Sequence, residues 1–290
     1  MHFFEVSSAT LKSIYHITIN ILIPKSPPLS ELPSDVLRSM KANSSPLKSI
    51  ILMKLNKFFI KEQCPFNYIG DDVVVYAAGI GFSNNEKYYK IDELPNDLGI
   101  SGSLIVVNET VVAELIQKII IYDLKSLSFH TEKVSFKAFE LLLSLKPTEL
   151  YLGKTIVASN NDEIIPYEEL FDHMPSVRHL SLIYEKPFSQ RFLKKLSTSN
   201  FEKLTFYGLD NSFDFETFMK SLKGKPTLDL VLNFVSKTNL SRINQYIDDL
   251  LEAGKTDYYP PLLLHFLMDT QKVAQLEQLR KNYLLSKSEN

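Results

Sequence analysis

A short apolar pattern recurs from Leu124 towards the end of the chain and limits the folds that this sequence can adopt. Each copy has an apolar or anchoring residue, then a leucine three residues later, then another apolar residue two positions further on. The copies are Leu124-Leu127-Phe129, Pro147-Leu150-Leu152, Val177-Leu180-Leu182, Phe201-Leu204-Phe206, Thr227-Leu230-Leu232 and Pro261-Leu264-Phe266. Because side chains alternate along a strand, each copy reads as a short strand with one buried face.

The spacing of these copies suggests a repeat architecture. Their first positions lie 23, 30, 24, 26 and 34 residues apart, and most of these gaps fall in the period of about 20 to 29 residues typical of leucine-rich repeats. Helical patterns fill the gaps, with capping residues such as Ser189 and Asp214 before them and Gly254 after the last one. The sequence therefore predicts an α/β fold: over 123–270, an irregular leucine-rich-repeat-like solenoid with strands stacked in parallel in sequence order and helices on the convex side. An ordinary α/β sheet of βαβ units is the alternative.

The same alternation divides the strand residues into two sets. The inward set should form one continuous core: Leu127, Phe129, Leu150, Leu152, Leu180, Leu182, Leu204, Phe206, Leu230 and Leu232. The residues between them should lie on the concave sheet face, and the predicted target-binding residues are Tyr151, His179, Ser181, Thr205 and Tyr207, with Ser128 and Val231 beside them. The alternative is that a helix or the C-terminal tail covers this face.

A second constraining segment runs from Leu32 to Phe59. It contains two short amphipathic helical patterns, separated by Ser44-Ser45-Pro46 and closed by the pair Phe58-Phe59. Ser45 can cap the second helix, with Pro46 at its first helical position, where a missing N–H has no cost. So small a segment cannot bury its apolar positions within itself. Its apolar positions are therefore expected to pack against another protein or against the domain that follows.

This segment resembles the divergent F-box of nematode-type F-box proteins, in which a Leu-Pro start is followed by Ser-Pro and a Leu-Asn-Lys-Phe-Phe ending. The resemblance covers about 30 residues, and F-box proteins of this type carry a leucine-rich-like body after the box. It implies a Skp1-like linker protein and its cullin complex as partners. The implied linker-docking residues are Leu32, Pro33, Val36, Leu37, Pro46, Leu47, Ile50, Leu55 and Phe58. The alternative is an N-terminal helical cap of the following domain.

The remaining segments have less distinctive patterns. Residues 1–30 read as a poorly structured leader or a short strand, because the apolar run Ile14–Ile23 is too short for a membrane span of about 20 residues. The F-box-like module is assigned to 31–65. Residues 66–122, with expected strands at Val73–Tyr76 and Leu104–Val107, read as an irregular linker or N-terminal cap. Residues 271–290 read as a C-terminal helix or tail.

Composition and motifs argue against several functions. A net charge of −2 gives no basic field for nucleic acid. The one cysteine excludes an intrachain disulfide and suits a reducing compartment, so we expect a cytoplasmic or nuclear protein. Phosphate-loop, zinc and complete dinucleotide motifs are missing from the sequence, so the sequence predicts no enzyme, no metal and no cofactor.

Two functions remain. The first is a substrate-recognition adaptor of an SCF-type cullin-RING ubiquitin ligase. In that role the F-box would dock the linker and the repeat body would hold a target protein. The second is a leucine-rich protein-interaction scaffold unrelated to ubiquitin. The sequence does not encode the identity of the target.

Overall fold

The computed structural model describes residues 32–45, 48–49, 51–52, 57–59, 67–70, 72–82, 85–185, 187–222, 224–236, 240–254, 256–265 and 267–288. These residues form two compact units. The first comprises the described part of Met1–Leu127 together with Lys137–Leu145, and the second comprises Ser128–Phe136 together with the described part of Lys146–Asn290. The chain passes from the first unit to the second within one strand.

The first unit contains a mixed sheet with helices around it. Strands β1 (Asn67–Gly70) and β2 (Val73–Tyr76) both pair in parallel with β5 (Leu98–Val106). Strands β3 (Gly79–Phe82) and β4 (Asn85–Lys90) continue the sheet antiparallel from β2. The helices are α1 (Ser34–Asn43), α2 (Val112–Lys118) and α3 (Phe136–Leu143), and β6 (Ile119–Phe129) leads out of the unit. The expected strand at Val73–Tyr76 is confirmed.

The second unit is built from parallel strands. Its main strands are β8 (Glu149–Gly153), β10 (His179–Ile183), β11 (Lys203–Leu209), β12 (Asp229–Phe234) and β13 (Leu262–His265). Each pairs in parallel with the next one along the chain. A separate parallel pair joins β7 (Lys133–Ser135) to β9 (Ile156–Ala158). The predicted parallel stacking in sequence order is confirmed from β8 onward, and the architecture is α/β with mostly parallel strand pairs.

Alternation along these strands separates a buried face from a more open one. All ten residues predicted to point inward are buried, from Leu127 and Phe129 to Leu230 and Leu232. In β10 the burial pattern alternates strictly: Leu180 and Leu182 are buried, and His179, Ser181 and Ile183 are only half-buried. A strand covered on both faces would bury every residue, so only one face of β10 is fully covered.

The helices of the second unit follow the order of the strands. They are α4 (Tyr167–Leu170), α5 (Gln190–Thr198), α6 (Phe215–Ser221), α7 (Leu240–Ala253) and α8 (Thr270–Ser288). Helix α5 contacts both α4 and α6, and α8 contacts α7 and β13. The predicted caps at Ser189 and Asp214 are confirmed: the backbone N–H of Phe192 donates to Ser189 Oγ and that of Thr217 to Asp214 Oδ1.

One arginine fixes the last helix to the strands. The Arg280 guanidinium on α8 donates to Asp229 Oδ1 at 2.5 Å and to the carbonyl oxygen of Pro260 at 2.6 Å. It also lies over the Tyr259 ring, 4.3 Å from the ring centroid. Arginine suits this position because its planar group can donate several hydrogen bonds and stack at the same time. Where the sequence predicts a C-terminal helix or tail at 271–290, the structure has a helix over Thr270–Ser288 that packs on the strands through Arg280.

We predict that Arg280→Ala lowers the free energy of unfolding by about 2–4 kcal/mol, because the partly buried Asp229 carboxylate loses its closer cation and keeps only Lys203, which lies 3.6 Å away. The matched control is Lys272→Ala on the same helix. Its ammonium pairs with Asp248 at 2.6 Å in a more exposed setting, so its loss should cost less than about 1 kcal/mol. Urea unfolding of both variants checks this. Equal losses in the two variants would contradict the anchoring role of Arg280.

Candidate protein-interaction site

The open face of the second unit carries the residues that the sequence assigned to target binding. Tyr207 is 39% exposed, and Tyr151, His179 and Ser181 are half-buried. Thr205 differs, because only 6% of its surface is exposed. Four of the five residues are therefore accessible on this face, and Thr205 contributes little surface of its own.

Two tyrosines meet across an intervening strand. Ser181 of β10 is in register with Tyr151 of β8 and with Thr205 of β11. The rings of Tyr151 and Tyr207 come within 6.3 Å of each other, centroid to centroid, in an edge-on arrangement. Tyr207 is itself in register with Ile183 of β10, two residues after Ser181. The ring of His130 lies 5.4 Å from that of Tyr151 on its other side. We call His130, Tyr151 and Tyr207 the aromatic row.

Gly153 allows the Tyr151 ring to take this place. Gly153 has a φ of +55°, a backbone conformation that side chains other than glycine rarely adopt. A Cβ atom there would lie 3.2 Å from Tyr151 Cε1 and 3.2 Å from the carbonyl oxygen of Phe129. Another residue at 153 would therefore push against both the ring and the backbone. Glycine at position 153 therefore leaves the space that the Tyr151 ring occupies at the end of β8.

A row of charged and polar side chains crosses the same face near the start of the strands. Glu149, His179, Lys203 and Asp229 follow one another in register. His179 Nδ1 lies 3.2 Å from Glu149 Oε1, and Lys203 Nζ lies 3.6 Å from Asp229 Oδ2. Because these side chains contact each other, fewer of their polar atoms are available to a partner. The aromatic row is the stronger candidate for binding, since tyrosines supply large contact areas at low entropic cost.

The first unit presents an apolar stripe at α1. Leu32 is 48% exposed, Val36 38% and Met40 36%, and they follow one another at four-residue spacing. Val36 and Met40 therefore share one side of α1, and Leu32 lies just before the N-cap Pro33. We call Leu32, Val36 and Met40 the α1 stripe. Pro33 is also exposed and serves as the N-cap of α1.

The other expected linker-docking residues have different positions. Leu37 is buried, with 4% of its surface exposed, and Phe58 is half-buried against Phe59 at 5.3 Å between ring centroids. Pro46, Leu47, Ile50 and Leu55 lie outside the described residues. The Ser45 cap is supported, because its Oγ accepts from the backbone N–H of Lys48 at 3.5 Å. The docking set thus includes both exposed and buried members.

Two members of these surfaces were missing from the sequence-based sets. His130 follows Phe129 directly, and the alternation of buried residues at 127 and 129 could have assigned it to the open face. Met40 lies four residues after Val36, a spacing that could have added it to the docking set. Both signals were present in the sequence. Neither residue stood out by its chemistry alone.

In the described part of the chain, no cluster of three or more His, Cys, Asp or Glu side chains could hold a metal ion. Two of the three basic side chains of α5 pair with acidic residues of α4 and the turn after it: Arg191 donates to Glu169 and Lys195 to Asp172. The hydrogen bond from Lys195 lowers the pKa of Asp172. None of the described helices is long and apolar enough to cross a bilayer.

Compared with known proteins, the chain matches no family model and no curated protein. The case for a function therefore depends on the residues and surfaces described above.

We predict that Tyr207→Ala changes the free energy of unfolding by less than about 1 kcal/mol, as is usual for surface substitutions. Its chain neighbour gives the matched control. Phe206 points inward and is 1% exposed, so Phe206→Ala should cost about 3–5 kcal/mol through a cavity. Chemical unfolding of the two variants measures the difference. Similar losses would mean that another part of the chain covers the aromatic row.

Proposed function

We propose that this protein is a non-catalytic adaptor that recruits a target protein to an SCF-type cullin-RING ubiquitin ligase. Under this proposal the α1 stripe docks a Skp1-like linker protein, and the aromatic row holds the target. The exposed α1 stripe is the observation that carries the proposal. The resemblance of residues 32–59 to a nematode-type F-box supplies the identity of the partner, and a cytoplasmic or nuclear location suits that role.

The physical argument starts from the cost of exposed apolar area. Single exposed apolar residues are ordinary on protein surfaces, whereas aligned ones mark contact sites more often. Transfer of apolar surface out of water yields about 25 cal/mol per Å². Two aligned side chains on α1, with Leu32 just before its N-cap, can provide the buried centre of an interface, with polar residues around it. A partner helix or groove that accepts such spacing is one of the common recognition modes.

The aromatic row supports the second half of the proposal. Tyrosine is enriched among the residues that dominate binding energy. The row lies on a sheet face, where the strand backbone holds the rings in fixed positions. An adaptor with these two surfaces needs no reactive group of its own. It acts by raising the effective concentration of the target near the ligase.

A scaffold without a ubiquitin role remains the second candidate, and one observation favours it. Leu37 is buried, with 4% of its surface exposed, as a capping helix would require. The two candidates differ in whether the α1 stripe binds a linker.

We predict that Val36→Asp with Met40→Asp abolishes co-purification of a Skp1-like linker from cells, because a carboxylate buried in an apolar interface without a partner is strongly unfavourable. Both residues are exposed, so the protein should keep its fold, checked by an unchanged unfolding midpoint. The control is Arg38→Asp, which places the same carboxylate on the opposite side of α1. Arg38→Asp should retain the linker.

A second pair of substitutions tests the aromatic row independently of the α1 stripe. Tyr151→Ala with Tyr207→Ala should retain the linker and lose the target, read out by proximity labelling in the same cells. If the α1 variant still captures the linker, the adaptor proposal is wrong and the scaffold candidate stands. If the tyrosine variant keeps its labelled partners, recognition occurs elsewhere on the body.

A further inference from the structure

A cleft of about 360 Å³ opens between α6 and α7 in the second unit. This volume lies at the small end of the range for ligand pockets, which is about 300–1,000 Å³. At one end the helices touch through the edge-on rings of Phe215 and Tyr246, 4.9 Å apart. Leu228 and Leu230, both buried, form part of its wall, and Met219 and Leu222 line it from the side of α6. The apolar lining suits a hydrocarbon or aromatic group.

Two cations and one carboxylate line this otherwise apolar cleft: Lys220 and Glu216 are exposed, and Lys225 is half-buried. Lys225 follows α6, and its ammonium donates to the carbonyl oxygen of Ser199. An ammonium carries three N–H groups, so donors remain for a further acceptor. Burial lowers the pKa of Lys225. A cation that has lost part of its hydration gains more from an anionic partner than one in open water does.

A pair of tyrosine hydroxyls adds a neutral donor to the same cleft. The hydroxyls of Tyr246 and Tyr258 lie 2.8 Å apart, and both residues line the cleft. Burial and the hydrogen bond to Tyr258 raise the pKa of Tyr246, so Tyr246 stays protonated at neutral pH. Two hydroxyl protons are shared between two oxygens, and the mutual bond uses one of them. The other can be donated to a ligand.

We infer that this cleft binds a small apolar carboxylic acid in its ionised form. The carboxylate would accept from the Lys225 ammonium, and the hydrocarbon part would lie against Met219, Leu222 and Leu228. A few polar groups that converge in an otherwise apolar pocket are the usual signature of a small-molecule site. The inference goes beyond the adaptor proposal, because it concerns neither the α1 stripe nor the aromatic row.

The test uses 4-phenylbutyrate as the probe and its uncharged amide, 4-phenylbutyramide, as the matched neutral compound. The full chain is labelled with ¹³C at the methionine methyl groups. Met219 lines the cleft, and Met174 and Met268 report on other parts of the second unit. The acid should shift the Met219 methyl signal in a saturable way and leave the other two signals in place. It should bind about tenfold more tightly than the amide, since hydrogen bonds to charged groups are stronger than neutral ones.

Two lysine variants test which ammonium group attracts the carboxylate of the probe. Lys225→Met keeps the apolar stem, so it should bind the acid and the amide equally well, with the Met174 signal unchanged as evidence of folding. Lys220→Met, at an exposed lysine of the same cleft, should keep the preference for the acid. The inference is overturned by an unshifted Met219 signal, by equal binding of the two compounds to the unmodified chain, or by a preference that survives Lys225→Met. Equal binding would instead assign the cleft to a neutral apolar group.

Discussion

The alternation of buried side chains along parallel strands is the constraint on which the second unit depends. Leu180, Leu204 and Leu230 stand in register on three neighbouring strands, and Leu182, Phe206 and Leu232 form a second row beside them. Burial of each such side chain contributes about 1.5–3 kcal/mol. A slip of one residue would turn all of these side chains towards the open face. The same register therefore places Tyr151 and Tyr207 on one face, where their rings meet across β10.

The inward positions were predictable because a strand has a period of two, and that period is visible in any short apolar run. The caps at Ser189 and Asp214 were predictable because their chemistry is local. The anchor at Arg280 was not, since its partner Asp229 lies 51 residues earlier in the chain and no local pattern links them. Burial of Leu37 and Thr205 was missed for a related reason. Amphipathic spacing and strand alternation describe one element at a time, whereas burial depends on the neighbours that fold against it.

The two proposed interaction surfaces differ in chemistry as an adaptor requires. The α1 stripe is aliphatic and lies on α1 and the residue before its N-cap, and it suits a partner with a complementary apolar groove. The aromatic row combines rings with hydroxyl and imidazole groups, and it suits a partner that offers both apolar contact and hydrogen bonds. The row itself contains no carboxylate, ammonium or guanidinium group. Recognition of the target through it should therefore depend weakly on salt concentration.

Hydrogen–deuterium exchange of the purified chain with and without a purified Skp1-like linker tests the adaptor account most directly. Binding through the α1 stripe should slow exchange of the backbone amides of Ser34–Asn43, while amides of β8, β10 and β11 exchange at their original rates. Slowed exchange in those three strands, with none in α1, would contradict the account by placing the linker on the aromatic row. The absence of any change at linker concentrations that saturate known F-box partners would contradict it as well.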